Sequence, residues 1–235
     1  MEQHDTGCFR LEVREGSSGL GRFALAAAAA LTLMLPAVAW TTEYTFASDC
    51  LPPQNSEYVG QFHQMYAAGL IDLRDPIHDR FTTCDPPPGL GAADQFENFG
   101  STVRCNISTD GGGTYQPHQI PAQVTVKVHN SGPIGAGRTL FDTEMLQLDL
   151  AGGTLPPGVM IRESPTKQSL GQTTSRPVSG GYAIDSFFDV FTELSLDGGQ
   201  TWYPSEGAAG HMTMQGPQPT PMRKSTWGSL KLMYR

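Results

Sequence analysis

The stretch Tyr182 to Leu196 reads YAIDSFFDVFTELSL, and its pattern is the clearest indication of the fold class. Its even positions are mostly apolar, whereas its odd positions carry acids together with Phe187 and Phe191. Alternation with a period of two is typical of a β-strand that packs one face on a core. The segments Ala122 to Asn130 and Glu144 to Leu150 alternate in the same way.

The rest of the chain supports the same fold class. Strand-like segments recur between turn signals, the chain has 27 glycines and 18 prolines, and no long helical period occurs. One segment differs, Glu57 to Ala68, in which Tyr58, Phe62 and Met65 fall at helical spacing before Gly69. We therefore expect an all-β protein with one short N-terminal helix.

A turn motif of the form S-x-D-x-G-x-T-aromatic occurs twice. Its defining positions are Ser108, Asp110, Gly112, Thr114 and Tyr115 in the first copy, and Ser195, Asp197, Gly199, Thr201 and Trp202 in the second. The aspartate accepts hydrogen bonds from backbone N–H groups two residues on, and the glycines allow positive φ. The threonine begins the return strand, and the aromatic ring covers the hairpin. We expect both copies to be structural turns.

The motif resembles the Asp-box, a hairpin found in sialidase propellers and in several unrelated secreted β proteins. The second copy fits every position, and the first has tyrosine in place of tryptophan. The resemblance implies hairpins that lie away from any active site. Two copies are too few for a propeller of this length. Similar strands precede and follow each copy, so we expect a β-sandwich of two related halves, at about residues 57–130 and 138–215.

The N-terminus has the parts of a secretory signal peptide. Arg22 precedes the apolar run Phe23 to Leu35, and a small-residue cleavage site ends at Ala39. The run is shorter than the roughly 20 residues of a membrane span, although an uncleaved anchor is the alternative. We expect residues 1–39 to be removed and the protein to be secreted or held in the cell envelope. The expected β domain covers residues 40–215. A linker and tail follow at 216–235, and the sequence leaves open whether the tail is a sorting signal and where translation starts.

Three cysteines remain after removal of the signal peptide, which allows one disulfide and one thiol. Cys105 follows the alternation of a strand, as a buried thiol does. Cys50 and Cys84 both lie beside proline-rich loops. The sequence does not choose the pair, and Cys50–Cys84 is our preferred bridge.

The composition excludes some classes of function. Acidic residues outnumber basic ones by 23 to 15 and no basic run occurs, which argues against a nucleic-acid surface. The histidines lack the spacing of a zinc site, so no metal or cofactor is predicted. No second hydrophobic segment follows the signal peptide, so we expect no transmembrane segment in the mature chain.

An aromatic strip beside acids is the first candidate binding surface. Phe187 and Phe191 lie close to Asp189 and Glu193 along one strand. Exposed aromatic groups flanked by polar ones bind sugars or partner proteins. The alternative is that both rings are core.

His78 is the second candidate, because Asp75 and Asp79 flank it. A histidine between carboxylates can act as a general base or bind a metal. The alternative is a solvated strand edge with salt bridges to neighbouring arginines.

Longer stretches are similar to an uncharacterised family of secreted bacterial β proteins. They include DTEMLQLDL at Asp142 to Leu150, GVMIRESP at Gly158 to Pro165 and FFDVFTELSLDGGQTW at Phe187 to Trp202. The resemblance covers roughly Tyr44 to Met214. It implies a single secreted module and no mechanism.

These observations favour a non-catalytic extracellular or cell-envelope module for structure or adhesion, with a glycan or a cell-surface protein as partner. A carbohydrate-binding module is the alternative. A secreted hydrolase using acids such as Asp189 and Glu193 is the third hypothesis.

Overall fold

The structure, a computed structural model, describes residues 42–216, and these residues form strands, turns and loops. The strands in chain order are β1 Tyr44–Phe46, β2 Glu57–Gly60, β3 His63–Tyr66, β4 Ile71–Asp79, β5 Gln95–Ser108, β6 Tyr115–Gly135, β7 Arg138–Ala151, β8 Met160–Glu163, β9 Ser169–Val178, β10 Gly181–Val190, β11 Thr192–Ser195, β12 Tyr203–Pro204 and β13 Gly210–Gln215. The predicted signal peptide and residues 217–235 of the predicted tail lie outside the described residues.

Eight strands form a closed antiparallel barrel. The ring runs through β2, β4, β5, β6, β7, β9, β10 and β13, and β13 pairs with β2 to close it. Consecutive strands of the ring are neighbours, so the barrel is of the up-and-down type. The remaining strands extend it at its ends, since β3 pairs with β4, β1 with β10, and β8 with β7 and β11.

The prediction of a two-half sandwich is wrong, although the all-β class is correct. The two expected halves pair at both of their edges, through β6 with β7 and through β13 with β2. Neither half therefore keeps the free edge that separate sheets of a sandwich have. Period-two alternation marks one buried face in a barrel and in a sandwich alike, so the pattern did not distinguish the two.

The predicted helix at Glu57–Ala68 is also wrong, because this segment forms β2 and β3. Its buried residues are Tyr58, Gly60, Gln64 and Tyr66, all at even positions, which is the period of a strand. Tyr58 and Tyr66 satisfy both periods, since eight residues span two helical repeats and four strand repeats. A β-carbon at residue 60 would collide with the ring of Phe62, so glycine is required there.

Apolar side chains from most strands of the ring and from β8 and β11 fill the interior, whereas the buried positions of β9 are Ser169, Gly171, Thr173 and Ser175. The largest fully buried apolar side chains include Ile120, Ile161, Ile184 and Leu194. An eight-strand barrel is just wide enough for side chains to fill it or to hold one small ligand.

The predicted Cys50–Cys84 disulfide is present. It joins the segment before β2 to the loop between β4 and β5, and Leu51 makes backbone hydrogen bonds with Asp85 beside it. Cys105 is a buried free thiol on β5. The disulfide ties the β1–β2 segment to the rim of the barrel.

No helix within residues 42–216 is long and apolar enough to cross a membrane.

Candidate functional site

Two adjoining cavities lie in the barrel interior. The larger cavity has a volume of about 60 Å³ and the smaller cavity one of about 30 Å³. Both are lined by Tyr58, His78, Met145 and Phe188. A cavity needs at least about 10–15 Å³ to hold one water molecule, so each of the two cavities exceeds the size of a single small group.

The lining is mainly apolar with a few polar groups. Side chains that line only the larger cavity include Leu73, Val103, Leu148, Leu150, Val190 and Met212. Side chains that line only the smaller cavity include Leu51, Phe81, Glu97, Phe99, Val126, Val128, Thr143 and Thr173. An apolar pocket with a small number of placed polar groups is the usual composition of a small-molecule site.

A chain of hydroxyl groups crosses the interior wall. The Tyr58 hydroxyl lies 2.9 Å from Ser186 Oγ, which lies 2.7 Å from Thr173 Oγ1. Tyr58 is fully enclosed, and burial raises the pKa of its phenol to about 12. These hydroxyls satisfy one another, so they hold the wall in a fixed geometry.

His78 is inside the barrel, between the two cavities. Its Nε2 lies 2.6 Å from Ser101 Oγ, and its ring packs edge-on against Phe81 at 5.1 Å between centroids. Burial lowers the pKa of His78 to about 4, so the imidazole is neutral at neutral pH.

The two carboxylates that flank His78 in sequence, those of Asp75 and Asp79, lie outside the barrel interior. Asp79 accepts a hydrogen bond from Arg104 at 2.7 Å, and the exposed Asp75 lies 3.7 Å from Arg74. The arrangement therefore does not supply the carboxylate partners that the sequence-based hypothesis of a general base required.

Glu97 is the interior group that the sequence reasoning missed. Its side chain lines the smaller cavity and the residue is only 2% exposed. Burial, helped by the nearby charge of Asp85, raises the pKa of Glu97 to about 8. Glu97 lies two residues before Phe99 and six before Val103, so in an alternating strand it points to the same apolar face. An acidic residue at such a position was the sequence signal for a buried carboxyl group.

Each cavity also has a buried polar atom without a hydrogen-bond partner among residues 42–216. Gln64 Nε2 belongs to the lining of the larger cavity and Thr143 Oγ1 to that of the smaller. A buried polar atom left unpaired costs about 1–3 kcal/mol, so each such atom calls for an explanation, and a bound water or ligand is one.

The predicted aromatic strip does not form one surface with His78. Phe187 is half-buried on the outer face of β10, where its ring lies 5.4 Å from that of His211. Asp189 accepts a hydrogen bond from the same His211 at 2.7 Å.

Phe191 and Glu193 lie beyond the end of β10 and have other partners. Lys167 lies over the Phe191 ring at 4.9 Å. Glu193 is buried and accepts two hydrogen bonds from Arg162, the shorter at 2.7 Å. The predicted binding residues are thus distributed between the interior and the outer face.

The first turn motif, at 108–115, has a compact hydrogen-bond pattern. Ser108 Oγ donates to Asp110 Oδ1 at 2.6 Å and accepts from the backbone N–H of Gly112 at 2.9 Å. Asp110 Oδ1 also accepts from the N–H of Thr114 at 2.8 Å, four residues on rather than the two expected. The guanidinium group of Arg74 lies 3.6 Å above the ring of Tyr115.

The second motif, at 195–202, repeats this pattern. Ser195 Oγ donates to Asp197 Oδ1 at 2.8 Å, and Asp197 Oδ1 accepts from Thr201 N–H at 2.8 Å. Arg162 lies 4.0 Å above the ring of Trp202. These hydrogen bonds lower the pKa of Asp197 to about 2, so the carboxylate stays charged in the turn.

Comparisons with known proteins add no identity. No family model, curated protein or solved structure matches this chain. The resemblance to secreted bacterial β proteins and the Asp-box resemblance therefore stay predictions.

Residues 42–216 contain no group of three or more histidine, cysteine, aspartate or glutamate side chains that is arranged to hold a metal ion. The interior cavities combine an enclosed apolar space with a few polar groups. They can enclose a small molecule in an apolar space and offer it Glu97, Thr143 and Gln64 as hydrogen-bonding groups.

Proposed function

We propose that this chain is a non-catalytic binding module whose barrel interior encloses a small, largely apolar molecule. The observation that carries the proposal is the pair of adjoining cavities, each with one unpaired buried polar atom, on Gln64 and Thr143. A fully packed interior would not leave this space beside them.

The shape of the interior supports this proposal. On β5, Glu97 and Phe99 line the smaller cavity and Val103 lines the larger one. On β7, Thr143 lines the smaller cavity and Leu148 the larger one. The cavities therefore follow one another along the strands, and the proposed ligand is a short linear molecule that extends from one to the other.

The hydrolase hypothesis has less support. Glu193 is paired with Arg162, and Asp189 with His211. A surface cleft of about 540 Å³ contains Glu57 and Asp79, but Arg104 bridges these carboxylates at 3.4 Å and 2.7 Å.

The sugar-binding and adhesion hypotheses require a free aromatic surface. Phe187 is half-buried beside His211, and Phe191 lies under Lys167. Each ring is thus half-buried and already has a neighbour against it, so the interior cavities are the better-supported site.

We also propose that the module works outside the cytoplasm, in the exported location that the N-terminal sequence indicates. The Cys50–Cys84 disulfide supports this, because disulfides persist in oxidising compartments. N-terminal sequencing of protein recovered from the medium or envelope tests it. A mature chain that begins at Trp40 is expected, and a full-length cytoplasmic product would contradict it.

Filling the cavity tests the binding proposal. Val103→Phe introduces a ring into the larger cavity, whereas Val59→Phe makes the same change at a half-buried position facing away from it. With 1-butanol as the reference probe in a panel of molecules of similar size, methyl-detected NMR titration should show saturable binding. Val103→Phe should abolish it and Val59→Phe should preserve it.

Circular dichroism establishes that both variants are folded. If Val103→Phe fails to fold, the smaller change Val103→Leu replaces it and should weaken binding. Binding that is equal in the interior and exterior variants, or absent for the whole panel, would overturn the proposal.

A further inference from the structure

The smaller cavity combines a buried carboxyl group with several aromatic rings. Rings of Tyr58, Phe81, Phe99 and Phe188 line it together with Glu97. These rings pack edge-on against one another, at 6.0 Å between Tyr58 and Phe81 and 5.7 Å between Phe81 and Phe99. Aromatic rings attract cations, and aromatic linings are a recurring feature of sites for organic ammonium groups.

The carboxyl group of Glu97 has no cationic partner. Within residues 42–216 no lysine, arginine or histidine forms an ion pair with it, and its side-chain contact is a 3.4 Å hydrogen bond from Gln95 Nε2. A buried acid without a counterion is held in its neutral form, and a cation placed beside it would allow it to ionise.

The other groups around the cavity do not oppose a cation. The lining includes no lysine or arginine, and His78 is neutral. The charge of Asp85 acts on Glu97 from the rim and favours a cation too. Thr143 Oγ1, which lacks a partner, offers a lone pair to an ammonium N–H.

We propose that the barrel binds a small primary alkylammonium ion, with its charged head in the smaller cavity against Glu97 and its alkyl chain in the larger one. This inference rests on the proposed function and adds the chemical class of the ligand. The smaller cavity, of about 30 Å³, takes the head group in this proposal, and the larger cavity, of about 60 Å³, takes the chain.

The proposal requires a proton to leave on binding. At pH 7 Glu97 carries a proton in the free protein, and pairing with R–NH₃⁺ leaves a carboxylate while the proton passes to the buffer. Binding should therefore release about one proton and should weaken as the pH falls.

Matched probes of nearly equal shape test the proposal. Isothermal titration of the full chain at pH 7 and 0.15 M salt compares n-butylammonium chloride with 1-butanol. The salt suppresses non-specific attraction of cations to a chain of formal net charge −8. We expect the ammonium ion to bind at least about tenfold more tightly, with proton release measured from the difference between two buffers.

Glu97→Gln should remove the preference for the ammonium ion and the proton release while binding of 1-butanol persists. The amide resembles the protonated acid, so the variant should fold. Glu206→Gln, at an exposed position, is the control and should change neither probe's affinity.

The outcomes separate the two proposals. Equal affinity for both probes, or an ammonium preference that survives Glu97→Gln, overturns the alkylammonium inference and leaves the binding function standing. Failure of both probes, and of the wider panel, to bind overturns both.

Discussion

Replacing Glu97 with glutamine should change how stability depends on pH. The pKa of Glu97 is raised to about 8 in the folded protein, against an ordinary value of 4.5. The folded state therefore holds a proton that the unfolded chain loses, so stability falls as the pH rises from about 4.5 through 8. Each unit between the two pKa values is worth about 1.4 kcal/mol, which gives roughly 4–5 kcal/mol as the full effect.

Urea denaturation of wild type and Glu97→Gln at a series of pH values measures this difference directly. The variant should gain stability relative to wild type steadily between pH 4.5 and 8 and then stay level. Taking the difference between the two proteins cancels the contributions of other groups, including Glu163, whose pKa burial raises to about 7. If the glutamine side chain itself changes the stability by an amount that does not depend on pH, it shifts the whole difference curve and leaves its pH dependence unchanged.

Glu206→Gln is the control for the substitution itself, because residue 206 is exposed. Its difference from wild type should be small at every pH. A flat difference curve for Glu97→Gln, or one that rises toward acid pH, would refute the account of Glu97 as a buried neutral acid.

Two further predictions concern the disulfide and the hydrogen bonds of the two turn motifs. Cys50→Ser should lower the free energy of unfolding by about 2–4 kcal/mol, since the Cys50–Cys84 bond closes a loop with a sequence separation of 34. A reductant should destabilise the wild-type protein but not the variant. Equal sensitivity of the two proteins to the reductant would contradict this prediction. Ser195→Ala and Ser108→Ala should each lower the free energy of unfolding by about 1–2 kcal/mol in thermal or urea denaturation, because each hydroxyl bonds to a carboxylate and to a backbone N–H. The control Ser179→Ala, at an exposed position, should have almost no effect. Similar losses at all three positions would argue against the turn geometry.

The strand content followed from local sequence, but closure of the barrel did not. In segments such as 182–190, alternation identified the buried face from neighbouring residues alone. Closure depends on β13 pairing with β2, for example Met212 with Gly60. Residues that far apart carry no local signal of their pairing, and the repeated turns favoured two halves that the structure joins into one ring.

The error at 57–68 has a different cause. Tyr58, Phe62, Met65 and Tyr66 fall at helical spacing and led to the prediction of a helix, although Gly60 disfavours one. Neighbouring strands decide the outcome, since β2 pairs with β13 and β4, and β3 pairs with β4.

The candidate site was only partly accessible from sequence. His78 was singled out, but its interior position was not foreseen because its neighbours Asp75 and Asp79 suggested a polar edge. Phe187 and Phe191 were predicted as binding residues because they are aromatic and lie beside acids, whereas Glu97, which alternates with apolar residues, was not predicted. Which acids are buried depends on strand parity, and for Glu97 that parity was readable.

A small molecule in the barrel interior should contact the methionine side chains there, and methionine methyl NMR detects such contacts. Met145 and Met212 line the larger cavity, whereas Met65 is 44% exposed. Titration with 1-butanol, and in a separate experiment with n-butylammonium, should shift the methyl signals of Met145 and Met212 saturably and leave that of Met65 unchanged. Interior signals that move with neither probe nor with any molecule of the wider panel, or shifts confined to Met65, would contradict binding in the interior.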